Sequence, residues 1–255
     1  MAVFKSENIE IAYEVYGDGK PIVLVHGFAS SGKINWLDTG WVEKLKEQGF
    51  SPITIDNRGH GLSQKLYDPS LYPARFMARD VAGLIDHLGL VEKHGPVPIM
   101  GYSMGARICA FVGMDFAEKV SAVILGGLGI NMIHGLGGSE EIVQGLLAPS
   151  LEDVKTKVGR QFRIFAEHTG SDLKALAACM QSSRDRISTQ DLEKIEVPVL
   201  VAVGDMDTIG GSPEELAQIF PKGKALTIKG RDHMRATGDK QFKSGVIDFL
   251  AQIPN

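Results

Sequence analysis

Short, uninterrupted apolar runs alternate with helical stretches along most of this chain. The runs are Pro21-Ile-Val-Leu-Val25, Pro52-Ile-Thr-Ile55, Val97-Pro-Ile-Met100, Val120-Ser-Ala-Val-Ile-Leu125 and Val197-Pro-Val-Leu-Val-Ala-Val203, with a shorter one at Ala225-Leu-Thr-Ile228. A strand without polar alternation has both faces buried, as in a parallel sheet. Only Asn8 to Tyr16 alternates apolar and polar residues, the pattern of a half-buried strand. Between the runs, helical patterns cover Trp41 to Gln48, Phe76 to Leu88, Met104 to Ala117, Pro213 to Phe220 and Gln241 to Ala251. Strands alternating with helices predict an α/β fold: a mostly parallel, doubly wound sheet of about eight strands, covered on both faces.

One segment breaks the alternation. Residues 130 to 195 hold no strand-like run, only helical patterns such as Val154–Ala166 and Leu173–Met180. The expected organisation is therefore a core of residues 1–129 and 196–255, with residues 130–195 inserted as a helical cap. The insertion follows a Gly-rich strand end, so it should lie over the C-terminal edge of the sheet. Ligands bind along that edge in open α/β sheets.

Charge and cysteine content narrow the partners. The 255 residues carry 27 Lys and Arg against 31 Asp and Glu, a formal charge of −4, so a general nucleic-acid or anionic-surface binder is not expected. The apolar runs are too short to span a bilayer, and charges at Lys5 and Glu7 interrupt any signal-peptide core. Two cysteines, Cys109 and Cys179, do not make a disulfide framework. These readings predict a cytoplasmic monomer or homodimer acting on a small molecule.

Chemistry concentrates at strand ends. Gly101-Tyr-Ser103-Met-Gly105 follows one strand and opens a helix. A nucleophilic serine on a tight strand-to-helix turn needs small residues two before and two after it, and the helix N-terminus then faces the developing oxyanion. His26-Gly-Phe28 follows an earlier strand. An attacked carbonyl needs two aligned N–H donors, expected from Met104, after the nucleophile, and Phe28 in this loop. A rival reading starts here too, because Gly27 to Lys33 matches most of a phosphate-binding loop. Ile34 stands where that motif needs Ser or Thr to hold Mg²⁺, which disfavours nucleotide hydrolysis.

Gly204-Asp-Met-Asp207 and Gly230-Arg-Asp-His233 close two later strands. A serine needs a histidine to take its proton, and the histidine needs a carboxylate to hold its tautomer. The order Ser103, Asp207, His233 fits that arrangement. Asp205 competes with Asp207, and Asp232 is a third candidate. His26 and His60 also sit at strand ends but precede Ser103; His87 lies in a helix, and His94, His134 and His168 lack a strand-end setting.

On these residues the chain resembles the α/β-hydrolase superfamily. The likeness covers nearly the whole length and includes His26-Gly-Phe, Asp56-Asn-Arg-Gly-His-Gly-Leu-Ser63, Gly101-Tyr-Ser-Met-Gly105, Gly204-Asp-Met-Asp207 and His233. It is most similar to small esterase, lactonase and perhydrolase-type members with a helical cap. The resemblance favours Asp207 as the acid, three residues after the strand-end glycine. It implies a serine hydrolase, working without metal or cofactor, that cleaves a small to medium, largely apolar carboxylic ester, lactone or thioester through an acyl-enzyme. Ser103 separates it from members with an Asp nucleophile. Ala106, where a further Gly is common, and the Met-Arg after His233 depart from the pattern. Alternatives on the same fold are a non-turnover small-molecule receptor, a C–C bond hydrolase and a perhydrolase. Ile130, Met132, Phe162 and Phe165, with Phe28 below, are the expected substrate-lining residues. The competing expectation puts both phenylalanines in the cap's own core.

Overall fold

Eight strands form one sheet: β1 (Ala2–Ser6), β2 (Ile9–Val15), β3 (Lys20–Val25), β4 (Phe50–Ile55), β5 (Val97–Tyr102), β6 (Val120–Gly126), β7 (Val199–Gly204) and β8 (Gly223–Ile228). The computed structural model describes residues 1–135, 137–182 and 185–253. Positions 136, 183 and 184 of the expected insertion, and 254–255 of the expected core, lie outside the described residues. The spatial order is β1-β2-β4-β3-β5-β6-β7-β8. From β4 to β8 the strands are parallel; β1 and β2 add an antiparallel edge.

The strand parity explains the unbroken apolar runs. Val23, Val25, Ile99, Val123 and Val201 face one side, and Ile22, Leu24, Met100, Ile124 and Leu200 face the other. The first side is covered by α2 (Ala74–His87) and α4 (Met104–Asp115), through Met77, Val81, Leu84, Ile85, Ile108 and Phe111. The second is covered by α1 (Trp41–Lys46) and α12 (Lys240–Leu250), through Trp41, Leu45, Phe242 and Val246. Short α3 (Leu90–His94) leads into β5.

Two boundaries differ from the sequence reading. Strand β1 goes unassigned there, because Phe4 is its one large inward side chain and five residues give too little alternation to see. Strand β7 starts at Val199 instead of Val197, since Pro198 has no N–H for the ladder and contributes its carbonyl to Val123 N–H.

Between β6 and β7 the described residues form only helices: α5 (Asn131–His134), α6 (Ser139–Leu147), α7 (Lys157–His168), α8 (Leu173–Ser182) and α9 (Thr189–Leu192). Helices α6, α7 and α8 share an apolar cluster of Ile142, Leu146, Ala166, Leu176 and Met180. Ala29, from the loop after β3, joins that cluster, so the helical layer lies over the C-terminal end of the sheet. Buried Arg163 donates to the carbonyls of Gly145, Leu146 and Ala148, closing the C-terminus of α6. After β7 come α10 (Pro213–Ala217) and, after β8, α11 (His233–Ala236).

The turn after β4 is knitted to the core by charge. Asp56 accepts the N–H groups of Gly32 and Leu62 at 2.7 and 2.8 Å. Arg58 pairs with Asp80 through two bonds of 2.7 Å, both side chains buried. Beneath the Gly27–Phe28 loop lie two buried histidines. His26 Nε2 accepts Asn57 N–H at 3.0 Å, which makes Nδ1 the protonated nitrogen, donating to Gly27 O at 2.7 Å. The His60 ring stands edge-on to Phe28.

Burial pushes His26 down from 6.5 to about 4, and burial with the neighbouring His26 pushes His60 down to about 3. In the unfolded chain both take up protons near their ordinary values. Their neutral forms thus support the fold fully above about pH 6.5, and this support is lost as pH falls from there toward the folded values. Urea unfolding should show stability at pH 4.5 lower than at pH 7 by at least about 2 kcal/mol. A flat profile across that window would contradict this account.

Candidate active site

The elbow at the end of β5 is sterically determined. Ser103 has φ 54° and ψ −112°, a conformation rare for a residue with a side chain. Its N–H donates to Gly126 O at 2.8 Å, and its carbonyl accepts Ala106 N–H at 3.0 Å. A Cβ on Gly101 would lie 2.1 Å from Gly105 O, and one on Gly105 would lie 2.1 Å from Val25 O. Both flanking glycines are therefore required by backbone approaching backbone. The turn lifts the Ser103 hydroxyl to the C-terminal edge of the sheet, ahead of α4.

Two other strand ends bring their side chains to it. His233 opens α11, where the Asp232 side chain caps the helix by accepting from Met234 and Arg235 N–H. His233 Nε2 lies 3.0 Å from Ser103 Oγ, and its Nδ1 lies 2.8 Å from Asp207 Oδ2. Asp207 Oδ1 accepts the N–H groups of Ile209 and Gly210 at 2.8 and 2.9 Å, and its side chain has no exposed surface. With three of its four lone-pair directions used, the Asp207 carboxylate accepts Nδ1–H and leaves Nε2 facing Ser103 Oγ as a hydrogen-bond acceptor.

The competing acids point elsewhere. Asp205 accepts Gly230 N–H at 2.7 Å, and Asp232 is occupied as the cap. Among the histidines, His87 stacks on Phe4 below the sheet edge, while His134 lies on the cavity wall. Gly27 to Lys33 forms no phosphate cradle. Gly27 N–H goes to Asn35 Oδ1, Gly32 N–H to Asp56, and Lys33 pairs with Asp38. By contrast, the N–H groups of Phe28 and Met104 have no partner among the described residues. Met104 follows the serine in the chain, and Gly27, just before Phe28, approaches it closely enough that a Cβ there would lie 3.5 Å from Ser103 Cβ.

A cavity of about 1060 Å³ opens above these groups. Phe28, Met132, Phe162 and Phe165 line it. Phe162 and Phe165 also pack against the α6–α8 cluster, so each serves wall and core at once. Phe28 and Phe162 meet edge to face at 5.9 Å between centroids. Ile130 is a correction: it is not on the wall. Its side chain packs against the Gly211 backbone, and its N–H donates to Ser212 O, which turns it toward the loop after β7.

Sequence reading also missed Leu128, Met180, Ile209, Met234 and Arg107 on the wall. Leu128, Ile209 and Met234 each sit one or two residues from a strand-end motif, and that adjacency is the signal available. Arg107 lies one turn after Ser103, where it donates to the carbonyls of Asp185 and Met132. Among the described residues no group of three or more His, Cys, Asp or Glu side chains could hold a metal ion. None of their helices is long and apolar enough to cross a membrane.

Known proteins share this sequence pattern and fold. Residues 20–136 match the family described as the alpha/beta hydrolase fold. The chain is 25% identical to the non-heme chloroperoxidase CPO-A1 of Kitasatospora aureofaciens, over 96% of this chain and 97% of that one. The crystal structure of a bromoperoxidase from Bacillus anthracis superposes with a TM-score of 0.73 at 26% identity, covering 98% of this chain and 99% of that one. A thermophilic esterase from Thermogutta terrifontis gives a TM-score of 0.72 at 25% identity, over 96% and 94% of the two chains. The chain has the α/β-hydrolase fold, and these similarities support membership of that superfamily. As an α/β-hydrolase-type enzyme it carries the expected mostly parallel eight-stranded sheet, with the serine elbow where β5 meets α4.

Proposed function

We propose that this chain is a serine hydrolase of small to medium, largely apolar carboxylic esters, with Ser103 as nucleophile, His233 as base and Asp207 as its orienting acid. The observation that carries the reading is the hydrogen-bonded chain from Asp207 through His233 to Ser103, with links of 2.8 and 3.0 Å at the floor of an open cavity. His233 Nε2 takes the hydroxyl proton as Ser103 Oγ attacks the ester carbonyl. The N–H groups of Phe28 and Met104 receive the oxyanion. His233 then gives the proton to the departing alkoxide, leaving an acyl-Ser103. A water, deprotonated by His233, releases the acid and restores the serine. Lactones and thioesters suit the same steps.

In this reading residues 130–195 act as a cap over a core of 1–129 and 196–255, and Phe28, Met132, Phe162 and Phe165 bind the substrate's apolar portion. A panel of p-nitrophenyl esters graded by acyl length, with lactone and thioester arms, tests it. Turnover should favour short to medium chains, and absence of turnover throughout the panel would defeat the proposal. Phe162→Ala should raise kcat/KM for an octanoate over a butyrate by about tenfold or more, since even one methylene in an apolar pocket is worth about tenfold in discrimination. A variant that only melts earlier, with the ratio unchanged, would assign Phe162 to the cap core alone.

The haloperoxidase relatives favour a second acceptor for the same acyl-enzyme. Hydrogen peroxide attacking in place of water would release a peroxy acid and free serine. Peroxy-acid formation from an ester and peroxide, lost in Ser103→Ala, is the corresponding test.

A further inference from the structure

Tyr102 stands between the nucleophile and the base. It ends β5, next to Ser103 in the chain, and its side chain is almost fully buried. The ring sits in a slot that two glycines leave open. A Cβ on Gly127 would lie 2.6 Å from Tyr102 Cζ, and one on Gly126 would lie 2.9 Å from its Cδ2. Phe242 of α12 closes another side, with ring centroids 6.2 Å apart. Seated this way, the Tyr102 hydroxyl donates to the main-chain carbonyl of His233 at 2.5 Å, and the two rings lie 5.5 Å apart. Burial pushes the Tyr102 hydroxyl well above its ordinary range, so it remains a donor.

These links close a small loop. It runs from Ser103 along the chain to Tyr102, through its hydroxyl to the carbonyl of His233, out along that side chain to Nε2 and back to Ser103 Oγ. His233 and Ser103 are otherwise 130 residues apart and sit on different strand ends. Any relative drift of base and nucleophile must strain or break the tyrosine bond. From this geometry we propose that Tyr102 is a positioning residue for the reaction, clamping the backbone of His233 so that its imidazole stays aligned between Asp207 and Ser103. The inference rests on the triad reading given above.

Tyr102→Phe is the test, because it keeps the ring in its slot and removes only the hydroxyl. A hydrogen bond of this kind is worth about tenfold in an equilibrium or a rate. The variant should lose about tenfold in kcat on a p-nitrophenyl ester, with KM within about twofold of wild type. The full-length protein offers a second readout independent of turnover. A proton NMR signal from His233 Nδ1–H, assigned by its loss in His233→Gln, should be sharp in wild type and broadened by solvent exchange in Tyr102→Phe. Thermal melting of both proteins verifies that the variant is folded. An unchanged kcat, or an unchanged Nδ1–H signal in a folded variant, overturns the proposal. If wild type turns over no ester but its Nδ1–H signal broadens in Tyr102→Phe, the hydrolase reading falls and the positioning role stands.

Discussion

Replacing Ser103 with alanine should lower kcat on a p-nitrophenyl butyrate by about 10⁴- to 10⁶-fold while leaving the fold intact. The size of the effect follows from where the hydroxyl sits. Ser103 Oγ lies 3.0 Å from His233 Nε2 at the start of α4, next in the chain to Met104, whose N–H has no partner among the described residues. Without it, His233 has no nucleophile to activate, and only the oxyanion donors and the cavity remain. A fluorophosphonate should add once to wild type, at Ser103, and the adduct should be missing from Ser103→Ala by intact mass. His233→Ala should slow the labelling by a comparable factor, because an unactivated serine is a poor nucleophile. An adduct on another residue, or turnover that survives the substitution, would remove Ser103 from the mechanism.

How much of this was legible before the structure depends on which physical force writes the pattern. The parallel strands were legible because burial on both faces demands continuous apolar residues, as in Ile22 to Val25 or Val199 to Val203. The elbow was legible because a Cβ at Gly101 or Gly105 would come within 2.1 Å of a backbone oxygen, which excludes any side chain there. Side-chain direction at strand ends was not. Asp205 and Asp207 share one loop, and the residues alone leave both open; the direction each takes depends on whether Gly230 or His233 lies opposite. Ile130 was misread for the same reason, since apolar character says nothing about whether a loop residue faces the cavity or the Gly211 backbone. Tyr102 drew no attention because a residue inside a strand reads as core, and its bond to His233 spans 131 positions. The one-turn helix that carries His233 is too short for any periodicity to announce it.

The acid provides the sharpest discrimination between neighbours. Asp207→Asn should lower kcat by about 10³- to 10⁴-fold, whereas Asp205→Asn and Asp232→Asn should each stay within about threefold of wild type. The Asp207 carboxylate takes His233 Nδ1–H on one oxygen and the Ile209 and Gly210 N–H groups on the other. Asparagine has one oxygen to offer. The two fixed backbone donors claim it, and the amide NH₂ is left facing His233 Nδ1. The imidazole must then accept at Nδ1 and carry its proton on Nε2, pointing a donor at Ser103 where an acceptor is needed. The variant should fold, because both backbone donors keep their partner, and its loss should therefore appear in kcat with little change in melting temperature. Among the described residues Asp205 pairs with Gly230 N–H and an exposed Lys229, and an amide oxygen serves the first as well. Asp232 caps α11, a position where Asn performs as well as Asp. Asp207→Ala is the weaker experiment, because it strands two buried N–H groups and mixes a stability loss into the kinetics. Steady-state kinetics on the three asparagine variants decide the matter: an inactive Asp205→Asn beside an active Asp207→Asn would move the acid to the other end of the loop.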